Sequence, residues 1–242
     1  MVRSVPEIHP EIRIESLLDG ARRATGVVAI IDVFRAFTTA AVALANGADK
    51  IVMVSGVAEA LAMRAHGRGQ VCMGETRGQI PPGFDHGNSP FEVSSVDFTG
   101  KTIIQRTSAG TQGIVAAVGA DRLYAASLVT AAATARALRA GKPPVISLVA
   151  MGDNGVQRTD EDEICALHLR HLLDGRNGAP DAVRQMILAG GDVARFHDPA
   201  RPDSHPADLA IALDIGRYDF AIRVRMEYGH PTGRIERAPF AS

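Results

Sequence analysis

Between residues 27 and 175 short β-branched runs alternate with Ala/Leu-rich stretches of helical spacing, the pattern of a sheet covered by helices. The runs at 27–31 (VVAII), 50–54 (KIVMV), 70–73 (QVCM), 102–106 (TIIQR), 121–125 (DRLYA) and 145–150 (VISLVA) predict strands. They are continuously apolar rather than alternating, so they belong to a sheet buried on both faces. Residues 36–46, 57–66, 110–118 and 130–140 predict helices, the first and last closed by Gly47 and Gly141. A further amphipathic helix over 160–173 opens on Asp160, Glu161 and Asp162, acids that complement a helix N-terminus. Beyond Gly175 the pattern changes. Residues 190–208 are loop-rich in Gly, Asp and Pro, and 219–228 (DFAIRVRMEY) alternates like a half-exposed strand, so the C-terminal quarter adds an edge or a small cap. The expected fold is α/β, three layers of α/β/α around a mostly parallel or mixed sheet. No internal repeat or low-complexity linker divides the chain, so 1–242 reads as one domain, with 176–242 as a C-terminal cap or subdomain.

Composition narrows the function more than the fold. Apolar residues make up 46% of the 242, aromatics only 5%, and Trp is absent, which predicts a core of Val, Ala, Leu and Ile. A net charge of −1 gives no global field for nucleic acid or an anionic membrane, so anion binding must come from local arginines and backbone dipoles. Cys72 and Cys165 have no CxxC spacing and read as buried free thiols. No signal sequence opens the chain and no apolar run reaches the ~18 residues that span a bilayer; a soluble, cytoplasmic protein is expected, with homo-oligomerisation left open.

The richest chemistry lies in Gly74–Pro90, GETRGQIPPGFDHGNSP, a segment with neither helical nor strand period. Its glycines let main-chain N–H groups approach a ligand, and Glu75, Arg77, Asp85, His86, Asn88 and Ser89 supply donors, acceptors and charge. The same composition also makes ordinary surface turns. The first strand ends in Asp32, followed by Arg35, Thr38 and Thr39 at a helix start, where open α/β sheets bind ligands. Arg35 offers a fork for phosphate or carboxylate, although Asp32 and Arg35 also suit pairing with one another or capping the helix. The strand at 102–106 runs into Thr107, Ser108, Ala109, Gly110 and Thr111, an anion cradle or a plain N-cap. Asp153, Glu161 and Asp162 follow the strand at 145–150; gathered near Asp32, Glu75 or Asp85 they suit a hard cation such as Mg2+, and alone they suit a solvated helix start. GxxxxGK[ST], GxGxxG after a strand, GxSxG and HExxH are all absent. His168 and His171 read as exposed or core-edge, and His197, Asp198, Asp203 and His205 as a solvated loop.

Taken in order, IDVFRAFTTA (31–40), GETRG with GFDHGNSP (74–90), GKTIIQRTSAGT (100–111) and ED-IC-A around 161–166 resemble the 2-phosphosulfolactate phosphatase family of coenzyme M biosynthesis over roughly residues 27–170. The resemblance implies a Mg2+-dependent α/β phosphatase that hydrolyses 2-phospho-3-sulfolactate. It places Asp32, Arg35, Glu75, Asp85, Asn88, Ser89, Gly110, Thr111, Glu161 and Asp162 on the family's motif positions. This chain departs from the family pattern at Thr76, where an Arg follows the motif Glu, at Ala109, where an Asn precedes Gly-Thr, and at Phe34 and Phe37, where Leu and Thr stand. These changes alter how a substrate bearing phosphate, sulfonate and carboxylate is held.

The expected mechanism is metal-assisted hydrolysis of a small anionic phosphate monoester. Two or three carboxylates from Asp32, Glu75, Asp85, Glu161 and Asp162 hold Mg2+, Arg35 and the 108–111 cradle clamp the phosphoryl group, and Asn88 and Ser89 orient substrate or water. Asp32, Arg35, Glu75 and Asp85 form the expected catalytic set, with Asp32 the nucleophile if a phosphoenzyme forms. Thr38, Thr39, Arg77, Asn88, Ser89, Ser108, Gly110 and Thr111 form the expected substrate-binding set. Two other readings stand beside it: a phosphatase for another phosphorylated hydroxy acid, and a protein that binds an anionic metabolite without turnover.

Overall fold

The computed structural model describes residues 10–201 and 203–237; the two ends of the 1–242 span lie outside the described residues. The chain runs β1 (Glu11–Ser16), α1 (Leu17–Arg23), β2 (Val27–Ile31), α2 (Ala36–Ala45), β3 (Lys50–Met53), α3 (Val57–Ala65), β4 (Val71–Gly74), α4 (Pro90–Val93), β5 (Thr102–Arg106), α5 (Gly110–Ala116), β6 (Arg122–Ala126), α6 (Ala131–Arg139), β7 (Val145–Ala150), α7 (Asp160–Leu173), α8 (Pro180–Leu188), a 3-10 turn over Gly191–His197, α9 (Pro206–Ala212), β8 (Ala221–Glu227) and β9 (His230–Glu236).

All strands join one mixed sheet of order β1-β7-β2-β6-β8-β9-β3-β5-β4. Strands β1, β7, β2 and β6 are mutually parallel, as are β3, β5 and β4. The β8–β9 hairpin joins the two blocks through antiparallel pairs on both sides, so the blocks run in opposite directions. Sheets of this kind twist by roughly 20–25° per strand pair, so the two blocks do not lie in one plane. The residues that follow β2, β4, β5 and β7 line one cleft.

The continuous apolar runs have the predicted consequence, because successive side chains feed opposite layers. Val28 and Ile30 of β2, Ile51 and Met53 of β3, and Met73 of β4 pack with α2 and α5 in one core. Val27, Ala29 and Ile31 face the other way, into a core under α6, α7 and α8, while Val52, Val54, Cys72 and Ile104 form a third cluster with Ala60 of α3. Cys72 and Cys165 are buried free thiols. No helix among the described residues is long and apolar enough to cross a membrane.

Six of these strands and α-helices were not anticipated, the short helices α4 and α9 among them. β1 and α1 lie before the first predicted strand; β1 pairs on one side only and has no continuous apolar run. β9 carries Pro231 and Gly233, residues that depress strand signal, and α8 was not foreseen in the C-terminal region. The C-terminal strand expected at an edge or in a cap instead occupies the middle of the sheet with β9 beside it.

Candidate active site

A cleft of about 410 Å3 opens where β2, β4, β5 and β7 end, and Arg195, Ala200, Arg201, Asp203 and Ser204 also line it. Its lining includes the carboxylates of Asp32, Glu75, Asp153, Glu161 and Asp203 and the guanidinium groups of Arg35, Arg77, Arg195 and Arg201. Acids and arginines thus share one concavity, a composition suited to a polyanionic ligand accompanied by a cation.

Asp32 caps the turn into α2: its Oδ1 accepts from Ala36 N at 3.0 Å. Burial pushes its carboxyl up to about 6, reinforced by the charge of Glu75 and opposed by Ala36 N, Arg195 and Gly110 N. Glu161 is 3% exposed and its Oε2 has no hydrogen-bond partner; burial raises it to about 7. A buried carboxylate oxygen without a donor is costly unless it is protonated or meets a cation.

Glu75 is held differently. Its Oε1 accepts from Ser108 N at 2.5 Å, and its Oε2 accepts from Gly78 N at 2.7 Å and Ser108 Oγ at 3.0 Å. It thereby ties the glycine-rich loop to the exit of β5. Arg106 braces the same junction through Glu75 O and Thr76 Oγ1, so Thr76 serves the scaffold. Arg77, with φ of 52°, donates its N–H to Ser108 Oγ and lines the cleft. Asn88 also lines it, with Oδ1 buried and unpartnered.

Several expected site residues are committed elsewhere. Asp85 lies outside the cleft, where its Oδ2 accepts from Arg64 at 2.7 Å and Cys72 N at 2.8 Å. Asp162 spends both oxygens on backbone N–H groups, Val33 at 2.8 Å and Gly152 at 2.9 Å, pinning the exits of β2 and β7 together; burial, with Glu161 and Asp32 nearby, raises its carboxyl strongly. Thr38 and Thr39 are fully buried and donate to Val33 O and Arg35 O. Thr111 exchanges hydrogen bonds with Thr107, and Ser89 caps α4 by accepting from Glu92 N. Gly110 abuts Asp32 without lining the cleft. Of the expected residues, the cleft gathers Asp32, Arg35, Glu75, Arg77, Asn88, Ser108, Asp153 and Glu161.

The loop expected to be solvated reaches the site. Asp203 and Ser204 line the cleft, Asp203 O accepts from Arg35 Nη1, and His205 stacks on Phe91 with ring centres 4.3 Å apart. Arg195 was missed altogether: its Nη2 donates to Phe34 O at 2.8 Å, and its Cζ lies 5.1 Å from the Phe196 ring centre and 5.5 Å from that of Phe34. No motif marks this position, and only the fold brings it to Asp32 and Glu161. His168 is buried and depressed by burial, a core position rather than an exposed one.

Among the described residues, no three His, Cys, Asp or Glu side chains stand together as a metal-binding group. The donor set nevertheless fits a cation that keeps most of its waters and takes only one or two carboxylates, the habit of Mg2+ beside substrate phosphates. The free oxygen of Glu161 and the carboxylate of Asp32 are donors buried in the cleft, with the carboxylate of Asp153 also on its lining.

A family model described as 2-phosphosulpholactate phosphatase matches residues 13–196. A probable 2-phosphosulfolactate phosphatase of Bacillus subtilis is 31% identical over 211 residues, covering 86% of this chain and 90% of that protein. One of Thermotoga petrophila, of the same description, is 38% identical over 184 residues, covering 76% and 78%. A third, from Carboxydothermus hydrogenoformans, is 45% identical over 108 residues, covering 45% and 44%.

Proposed function

The chain belongs to the 2-phosphosulpholactate phosphatase family, and from that premise we propose that it is a Mg2+-dependent phosphoric monoester hydrolase acting on 2-phosphosulfolactate. The observation that carries the reading is the cleft itself, where Asp32 and Glu161 face four arginines at the strand exits. A substrate with phosphate, sulfonate and carboxylate groups needs several cationic contacts, and Arg35, Arg77, Arg195 and Arg201 supply them.

Asp32 and Glu161 would hold Mg2+, which when bound would offset the negative charge of the phosphate. The chain's own part is positioning and proton handling. Arg35 and Arg195 orient the phosphoryl group, and Ser108 N and Oγ are turned toward Glu75, which keeps the loop carrying Arg77 closed on the substrate. Asp32, fixed through Oδ1 on Ala36 N, presents its other oxygen to the attacking water. Water adds to phosphorus as the ester P–O bond breaks; Asp32 takes the water proton, the leaving alkoxide takes a proton from solvent water, and Asp32 returns its proton to solvent, so that the carboxylate is regenerated.

A second substrate, another phosphorylated hydroxy acid, is favoured by one feature. Ala109 lines the cleft with a methyl group where the family pattern carries an amide, so one polar contact to the non-transferred end is missing. Phosphate release from 2-phosphosulfolactate and from a panel of phosphorylated hydroxy acids, with Mg2+ and with EDTA, tests both readings. Metal-dependent release from phosphosulfolactate is expected. Release from another panel member alone moves the substrate to it, and no release from any by folded, Mg2+-supplemented protein overturns the proposal.

A further inference from the structure

Asp208 sits on α9, beyond the residues matched by the family model, and is 0% exposed. Its carboxylate accepts from one cleft residue, Arg35, and from three groups beside the cleft. Oδ2 accepts from Arg35 Nη1 at 2.6 Å and from His205 N at 3.3 Å. Oδ1 accepts from Ser89 Oγ at 2.6 Å and from Phe91 N at 3.0 Å. One buried anion therefore joins the loop after β2, which carries Arg35, to the end of the glycine-rich segment, which carries Ser89.

The way Arg35 is held divides its guanidinium. Nη1 is committed to Asp208 Oδ2 and Asp203 O, whereas Nε and Nη2 make no hydrogen bond among the described residues, and the residue lines the cleft while only 6% exposed. A guanidinium is a rigid planar fork, so fixing one nitrogen fixes the direction of the others. A lone surface ion pair would add little, but a fully buried carboxylate with four donors costs too much to desolvate unless its geometry is maintained.

We propose that Asp208 is a positioning residue: it anchors Arg35 by one nitrogen so that the remaining face of the fork meets the phosphoryl group, and through Ser89 it ties Arg35 to the end of the glycine-rich segment that carries Asn88 to the cleft. This rests on the reading of the cleft as a phosphate-ester site. It assigns the segment after residue 196 a part in catalysis that its sequence does not announce, and it explains why Ser89, an expected substrate ligand, instead bonds to protein.

The test uses full-length, Mg2+-supplemented protein and two readouts: steady-state hydrolysis of 2-phosphosulfolactate, and calorimetric binding of inorganic phosphate. Asp208→Asn keeps the volume and one acceptor but removes the charge. The expected result is a fall in kcat/KM and in phosphate affinity of about tenfold to a hundredfold. Arg35→Gln is expected to lose at least as much, and the double variant no more than Arg35→Gln alone, because both act through one group. Should Asp208→Asn fail to fold, Arg35→Lys in the native background decides: its single ammonium stays on Asp208, so the melting temperature holds while phosphate affinity falls as in Arg35→Gln.

Additive losses in the double variant, or phosphate affinity unchanged in Asp208→Asn or in Arg35→Lys, overturn the proposal, as does a native protein that binds no phosphate. A native protein that binds phosphate in an Asp208-dependent way but hydrolyses no substrate overturns the proposed activity and leaves this inference standing.

Discussion

A Cβ built on Gly110 lies 2.9 Å from Oδ2 of Asp32, so the start of α5 is pressed against the carboxylate that leads the candidate catalytic set. The same position lies 2.9 Å from Ala36 Cβ and 3.0 Å from Phe37 Cζ, leaving no direction of escape. Gly110 is not among the glycines at positive φ, so backbone conformation permits alanine and only space forbids it. Gly110→Ala gains up to about 1 kcal/mol of helix propensity against about 1–3 kcal/mol of overpacking. Net destabilisation is expected, together with a loss of kcat/KM of about tenfold or more as Asp32 is displaced. Thermal melts and kinetics on one preparation check both, and a fully active, stabilised variant would show that the Asp32 position is not critical. Asp32→Asn, which keeps the shape and the Ala36 bond, is expected to abolish turnover in a folded protein.

Glu75 offers a sharper hydrogen-bond test. Its two oxygens accept from three donors on two loops, and a glutamine can present an acceptor on only one side. In Glu75→Gln an NH2 group must face either Ser108 or Gly78, placing donor against donor. A cost of about 1–3 kcal/mol is expected from the unsatisfied buried groups, with faster hydrogen exchange at Arg77 and Gly78 and a drop in kcat/KM. Unchanged exchange at these amides would mean that Glu75 does not hold the loop.

Those two residues also show where sequence reading works and where it stops. The strands β2 to β7 were legible because each carries a buried apolar run, unbroken in β2 and only lightly interrupted in the others. Asp32, Glu75 and Ser108 followed from them, since strand exits in α/β sheets are where ligands bind. β9 was not legible: His230–Glu236 holds Pro and Gly, and it is a strand because β8 and β3 flank it. Asp85 and Asp162 look like Asp32 in sequence, yet their oxygens go to Arg64 and to backbone amides. A carboxylate's partner is a tertiary fact. Arg195 and Asp208 reach the cleft region from segments read as helix-poor loop, through packing that no local pattern encodes.

Asp85 yields a prediction of the opposite sign to the first two. Its side chain is 42% exposed and pairs with Arg64 on the far side of the glycine-rich loop, so its removal touches the fold and not the chemistry. Asp85→Asn retains an acceptor for Cys72 N but weakens the ion pair, whose value at this exposure is under about 1 kcal/mol. The expected outcome is kcat/KM within about twofold of the native value and a small fall in melting temperature. A loss of turnover by a stably folded Asp85→Asn protein would return Asp85 to the catalytic set.

The pH dependence of stability follows from the buried acids. Burial raises Asp32 to about 6, Glu161 to about 7 and Asp162 strongly upward, so the native state binds these protons more tightly than the unfolded chain. The slope of unfolding free energy with pH is proportional to protons bound unfolded minus protons bound folded, and here it is negative. Their stabilising contribution is full below about pH 4, is lost as pH rises through about 6 to 7, and does not change further above the highest of these values. His168, lowered by burial, acts in the opposite direction as pH falls below its ordinary value, and Glu227, lowered first by its bond to Arg234, acts mainly below pH 4.5. The carboxylate contribution is therefore isolated by difference. In EDTA the native protein should lose more melting temperature between pH 5 and 7.5 than Glu161→Gln does, because the amide does not titrate. Mg2+ added at pH 8 should raise the native melting temperature in proportion to the logarithm of its concentration above Kd, and should do little for Glu161→Gln. Equal slopes in the two proteins would remove Glu161 from the proton balance, and an Mg2+ shift of equal size in both would remove it from the cation site.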